Sequence, residues 1–166
     1  ELVKRQFPQA RVLRMDLDTT KNKGGHEKIL AQFADEEADI MIGTQMIVKG
    51  HDFPNVTLVG VLAADMSLYS DDYRSGERTF QLLTQAAGRA GRGRSKGEVV
   101  IQTYSPDHYS IQMTAKQDYE GFYEKEMNYR DLMGYPPAAQ LMAVLMTGAD
   151  EEMLQTAAEY LKKYAI

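Results

Sequence analysis

Two arginines three residues apart, Arg89 and Arg92, stand in the stretch Q-A-A-G-R-A-G-R from Gln85 to Arg92. The stretch reads as the end of a helix running from about Arg74 to Ala90. On a helix such a pair projects to one side, so both guanidinium forks can meet one anion. The intervening Ala86, Ala87, Gly88, Ala90 and Gly91 are small enough for a phosphate chain or another backbone to come close. The combination suits phosphoryl transfer, in which an arginine neutralises the charge that builds on a γ-phosphate. A basic helix end that merely complements its own dipole would use the same residues.

Upstream lies a second stretch, G-T-Q-M-I-V-K-G-H-D-F-P-N-V, from Gly43 to Val56. It follows the apolar run Ile40-Met41-Ile42 and precedes another, Val56 to Ala63, each a short buried-strand signature. By itself Asp52 is adequately explained as a turn-forming carboxylate before Phe53-Pro54. The order of strand, Gly-Thr, polar segment, Gly-x-Asp, strand and then Q-x-x-G-R-x-G-R resembles motifs V and VI of the superfamily 2 helicases. In those motors both motifs lie in the second RecA-like lobe.

The elements that must carry these residues alternate along the chain. A helix end over Glu1 to Phe7, closed by Pro8, has no cap before it and no initiator Met, as expected of a piece of a longer protein. Strands are predicted at Arg11 to Met15, Ile40 to Gly43, Leu58 to Ala63 and Gly97 to Thr103. Helices are predicted at Gly24 to Glu36, with Ile29, Leu30 and Phe33 on one face, and at Arg74 to Ala90. Near-continuous apolar strands separated by helices imply an α/β fold: a parallel sheet covered by helices on both faces. Ligands in such sheets bind beyond the carboxyl ends of the strands, where the segment from Gly43 to Asp52 begins.

After Ser105 the character changes. His108 to Ala115 and Gln117 to Met133 read as helices, Tyr135-Pro136-Pro137 as a break, Gln140 to Thr147 as a strand and Glu151 to Tyr164 as a helix. Tyr119, Phe122, Tyr123, Met127 and Tyr129 offer an aromatic platform for bases, although their helical spacing is more simply a packing stripe. The organisation expected is therefore 1–105 as the main α/β lobe and 106–166 as linker helices plus the start of a truncated α+β C-terminal domain.

Composition narrows the classes further. The 166 residues carry a net charge of −5, which disfavours a chain that coats nucleic acid by bulk charge. Any such contact is local, at Arg89, Arg92, Arg94 and Lys96, with Lys49 as an isolated addition. No cysteine is present, so neither a disulfide nor a thiolate zinc site is made by these residues. His26, His51 and His108 are scattered and none has a partner at metal-ligand spacing, so the expected metal set is empty. No stretch reads as a membrane span or signal peptide. No G-x-x-x-x-G-K-[ST] and no D-E-x-[HD] occurs.

Three longer stretches narrow the resemblance: L-R-M-D-x-D-T-T (Leu13 to Thr20), G-T-Q-M-I-x-K-G-H-D-F-P-N-V-T-L-V-G-V (Gly43 to Val61) and R-T-F-Q-L-L-T-Q-x-A-G-R-A-G-R-G (Arg78 to Gly93). With I-Q-T-Y-x-P-D-H-Y and the later Tyr135-Pro136-Pro137, the whole chain resembles the PriA family of primosomal replication-restart DNA helicases. One departure is Ala138, where that family usually has an aromatic residue. The resemblance implies a RecA-like second lobe of an ATP-dependent helicase that travels 3′ to 5′ and assembles primosomes at forks.

Carried over by position, Gly50, Asp52, Arg89 and Arg92 bind nucleotide, with Arg92 the preferred finger. Gln85 would organise the attacking water or the γ-phosphate shell, and Thr44 and Gln45 would touch the tracking DNA strand, while Lys49 is a DNA phosphate contact by its charge alone. Thr19 and Thr20 either touch DNA backbone or form an ordinary Asp/Thr turn. ATP and Mg²⁺ would be shared with a first lobe, without which the fragment would be inactive, and zinc would sit in a separate cysteine-rich module. The partners implied are single-stranded and forked DNA, that first lobe in cis, primosome proteins and single-strand binding protein, in the bacterial cytoplasm at the nucleoid, with no membrane. Two alternatives share the motifs: the second lobe of a RecG-like branch-migration helicase, and a non-hydrolysing fork-binding module.

Overall fold

Among the described residues four short strands pair in parallel, two by two. The computed structural model describes residues 1–16, 19–20, 24–48, 53–91 and 96–164. Strand β1 (Val12–Met15) runs beside β2 (Ile40–Gly43), with Val12 opposite Ile40 and Met15 opposite Gly43. Strand β3 (Leu58–Val61) runs beside β4 (Glu98–Ile101), with Leu58 opposite Glu98 and Val61 opposite Ile101. The α/β class and the parallel pairing agree with the sequence; the ladder comes as two two-stranded sheets among the described residues. Both β3 and β4 end sooner than their apolar runs do. Ala63 takes a left-handed turn (φ 51°), and the chain after Gln102 wraps around a carboxylate described below.

Helices α1 (Leu2–Gln6), α2 (Gly25–Ala34), α3 (Ser75–Ala87), α4 (Tyr109–Lys116), α5 (Tyr119–Met133) and α6 (Glu151–Tyr164) complete the order. The face of α2 predicted from Ile29, Leu30 and Phe33 packs on Met15 of β1 together with Phe53 and Met41. Helix α3 buries Gly76, Thr79, Phe80, Leu83 and Ala86, the i, i+3, i+4, i+7 stripe of an amphipathic helix. Leu83 meets Ala64 and Ile111 under Val61 and Ile101. Phe80 stacks on Phe122 at 4.0 Å between ring centres, with Met113 beside them. The aromatic stripe of α5 therefore divides: Phe122 is core, whereas Tyr119 and Tyr123 are exposed.

The chain forms two compact units, Glu1–Glu126 and Met127–Ile166. In the second, α5 closes at Gly134 (φ 65°) through a Tyr135 N–H bond to the Arg130 carbonyl at 2.8 Å, ahead of the two prolines. The predicted strand from Gln140 to Thr147 does not form. Leu141, Met142 and Leu145 are exposed, and with no neighbouring ladder the apolar pattern has nothing to pair with. Helix α6 starts where the Asp150 carboxylate accepts the Met153 N–H at 3.0 Å.

Candidate functional site

Thr44 leaves the carboxyl end of β2 and opens the 3-10 turn Gln45–Val48, its carbonyl accepting the Ile47 N–H at 3.1 Å. Both Thr44 and Gln45 are exposed. The turn folds back over Gly43, where a Cβ would stand 2.7 Å from the Ile47 side chain and collide with the Met15 carbonyl. Gly43 thus allows the turn to cap the end of β1–β2, a role that its place in the motif did not disclose. Helix α3 lies against this turn. Lys49, Gly50 and Asp52 lie outside the described residues.

The chain re-enters at Phe53, which is 7% exposed and meets Phe33 edge to face at 5.0 Å. Three residues later the Val56 carbonyl accepts the Gly91 N–H at 3.0 Å, and the Thr57 carbonyl accepts the Glu98 N–H at 2.8 Å. One hydrogen bond therefore joins the segment leaving the Gly-x-Asp motif to the segment carrying the arginines.

Arg89 lies beyond the helix that the sequence predicts to carry it. Helix α3 stops at Ala87, and the chain tightens into i→i+3 turns, Arg89 N–H to the Ala86 carbonyl at 3.0 Å and Ala90 N–H to Ala87 at 3.3 Å. Gly91 then takes φ 74°. Arg89 consequently sits, half-buried, in a turn beyond the end of α3. The cause is local: the chain leaves the helix through these tight turns and the left-handed Gly91. Gln85, still on α3, is exposed, as is Lys96; Arg92 and Arg94 lie outside the described residues.

This turn lies at the amino end of β3–β4, because its partners Val56 and Thr57 directly precede β3. The carboxyl-end rule thus suits Thr44 and Gln45 but not Arg89. At the carboxyl end of β3–β4 stands a residue that sequence reasoning missed. Asp65, buried, accepts the Thr103 hydroxyl at 2.5 Å, the Tyr104 N–H at 2.9 Å and the Ser105 N–H at 3.1 Å. These donors, the Thr103 hydroxyl foremost, hold its carboxyl below the usual carboxylate range. The only sequence signal was a charged residue directly after an apolar strand.

Other polar groups are used locally. Asp16 exchanges hydrogen bonds with Thr19, each backbone N–H reaching the other's side chain at 2.9 Å, and the Thr20 hydroxyl donates to the Asp16 carbonyl at 2.7 Å. That arrangement is the ordinary Asp/Thr turn. At the entry to α3, Asp72 accepts from the backbone and side chain of Arg74 and from Arg78 at 2.8 Å, which lowers its pKa to about 2. His108 caps α4 by accepting the Ser110 N–H on Nδ1 at 3.2 Å, and burial lowers its pKa. Among the described residues no cluster of three or more His, Asp or Glu side chains could hold a metal ion, and no helix is long and apolar enough to cross a membrane. The site does not provide a metal-binding carboxylate set among these residues.

Residues 1–94 match the helicase conserved C-terminal domain. The chain is 58% identical over 151 residues to the replication restart protein PriA of Bacillus subtilis, covering 91% of this chain and 18% of that protein. It is 46% identical to the protein of that name from Synechocystis, over 93% of this chain and 19% of the relative, and 47% identical to that of Chlamydia pneumoniae, over 89% and 20%. The chain thus spans about a fifth of the length of these curated relatives. On the match over residues 1–94 and the two motifs it contains, the chain belongs to the helicase conserved C-terminal domain family, within a region similar to PriA.

Proposed function

We propose that this chain is the second motor lobe of an ATP-dependent DNA helicase that acts in replication restart. Residues 1–105 form the RecA-like lobe, and 106–166 are linker helices and the start of the C-terminal domain. ATP binds between this lobe and a first lobe supplied by the same parent protein. Gly50 and Asp52 line the nucleotide cleft, Gln85 orders the attacking water, and Arg89 and Arg92 cap the γ-phosphate, with Arg92 as the finger. Mg²⁺, when bound, neutralises charge between the phosphates, and its ligands belong to the first lobe. Thr44, Gln45 and Lys49 grip one DNA strand. Closure on ATP and reopening after hydrolysis move that grip 3′ to 5′ along the strand. Forked DNA, primosome proteins and single-strand binding protein are the partners, in the bacterial cytoplasm, and zinc belongs to a separate module of the parent.

The observation that carries this reading is the Gly91 N–H bond to the Val56 carbonyl at 3.0 Å. It ties the arginine turn to the segment that leads from the Gly-x-Asp stretch into β3, which supports a common role for the two motifs. The similarity to replication restart proteins favours this motor over a branch-migration helicase. The test is single-strand-stimulated ATP turnover by the intact parent protein, wild type against Arg92→Ala, with DNA affinity measured for both. A fall of at least about a hundredfold at unchanged DNA affinity is expected, because arginine fingers supply about 10³ to 10⁵ in rate. Near-normal turnover would move the finger to Arg89. A wild type that turns over no ATP would leave only a binding module.

A further inference from the structure

Gly97 stands five residues beyond the motif that carries the arginines, yet its backbone lies in contact with that motif. A Cβ on Gly97 would reach 2.6 Å from the Gly91 Cα and would overlap the Gly91 nitrogen and the Ala90 carbonyl carbon. Reciprocally, a Cβ on Gly91 would stand 2.5 Å from the Gly97 nitrogen and 2.9 Å from its Cα. The atoms in the way are backbone atoms, so no rotamer change relieves the overlap. Gly91 also needs its left-handed φ of 74°, whereas Gly97 takes no left-handed conformation. Space alone demands glycine at 97.

The contact has a firm side and a dependent side. Gly97 is fixed by the sheet, since its neighbour Glu98 begins β4 and donates to the Thr57 carbonyl at 2.8 Å. Ala90 and Gly91 end the turn that carries Arg89, where the Gly91 N–H bonds the Val56 carbonyl at 3.0 Å and the Ala90 N–H bonds the Ala87 carbonyl at 3.3 Å. We propose that Gly97 is a positioning residue for Arg89: the bare backbone at the start of β4 sets how closely the arginine turn approaches the sheet. The inference rests on the reading above that Arg89 meets the γ-phosphate. A methyl group at 97 would push the turn outward, and a displacement near 1 Å at a catalytic group costs on the order of a hundredfold.

The experiment uses the intact parent protein with single-stranded DNA and two probes, ADP and ADP–aluminium fluoride, the latter imitating the transferring phosphoryl group. The ratio of their affinities is independent of the folded fraction, so loss of stability alone cannot move it. Gly97→Ala should lower that ratio at least tenfold with ADP affinity within twofold of wild type. Gly60→Ala, in β3 with open space around the added Cβ, should leave it unchanged. Arg89→Ala separates the two ideas. If Arg89→Ala lowers the ratio and Gly97→Ala does not, the positioning role is overturned and the reading of Arg89 stands. If Arg89→Ala leaves the ratio intact, both fall. Should Gly97→Ala fail to fold, a nuclear Overhauser contact between the Gly91 and Gly97 α-protons of the wild type decides: its presence supports the close approach, and its absence overturns it.

Discussion

The two ends of the β3–β4 pair are built on opposite principles. At the carboxyl end one carboxylate, Asp65, gathers a hydroxyl and two backbone N–H groups from the segment after β4. At the amino end the loops are held by bare backbone: Gly91 against Gly97, and the Gly91 N–H on the Val56 carbonyl. The carboxylate end answers its polar groups internally, which makes it a structural clamp. The glycine end fixes its turn by close backbone contact, and that turn carries Arg89.

Substitutions of the arginines test the glycine end most severely. Arg89→Ala and Arg92→Ala in the parent protein should lower DNA-stimulated turnover by about 10² to 10⁵, roughly 3 to 7 kcal/mol of barrier, with little change in melting temperature. A large loss of stability from either would show that the arginines hold the fold as Asp65 does, and the contrast would collapse.

Helix α3 connects the ends, running from the Asp72 entry to the arginine turn. Phe80→Ala removes the ring stacked on Phe122 and should cost about 3 to 5 kcal/mol by denaturant unfolding. Both ends should weaken together; unfolding in two separate steps would show that they are not coupled through α3.

Asp65→Asn keeps the shape but places an NH₂ against donors, since one carboxylate oxygen receives Thr103 and Ser105 and the other receives Tyr104. The melting temperature should fall by several degrees while the ratio of ADP–aluminium fluoride to ADP affinity stays at the wild-type value. A changed ratio would mean that the clamp reaches the nucleotide lip.

The smallest effect is on acid stability. Asp72 and Asp39, each held by arginine, have pKa values lowered to about 2. Between that value and the ordinary carboxylate range near 4 the unfolded chain binds more protons than the folded one, so stability falls as pH drops through this window. Above pH 5 both contributions are fully present. Asp72→Asn should flatten the acid limb of a stability–pH curve, and an unchanged limb would show that the ion pairs at the α3 entry contribute nothing.

Much of this was legible beforehand. The apolar runs located all four strands to within a few residues, and the face of α2 is the one its spacing predicts. The run from Gln140 to Thr147 misled because an apolar pattern specifies what a strand would bury, while a strand also requires a partner edge. The predicted helix end at Ala90 misled because helical propensity continues through Ala87 and Ala90, while the helix stops at Ala87 and Gly91 takes a left-handed turn.

The sequence by itself determined the element order, the α/β class and the two motifs with their separation, because these follow from side-chain period and residue type along the chain. Only the tertiary structure decided that the arginine turn lies at the amino end of β3–β4, that Val56 braces it, and that Gly97 must lack a side chain. Asp65 was invisible for the same reason. Each of these depends on groups distant in sequence meeting at less than 4 Å, and such meetings are fixed by packing and not by local pattern.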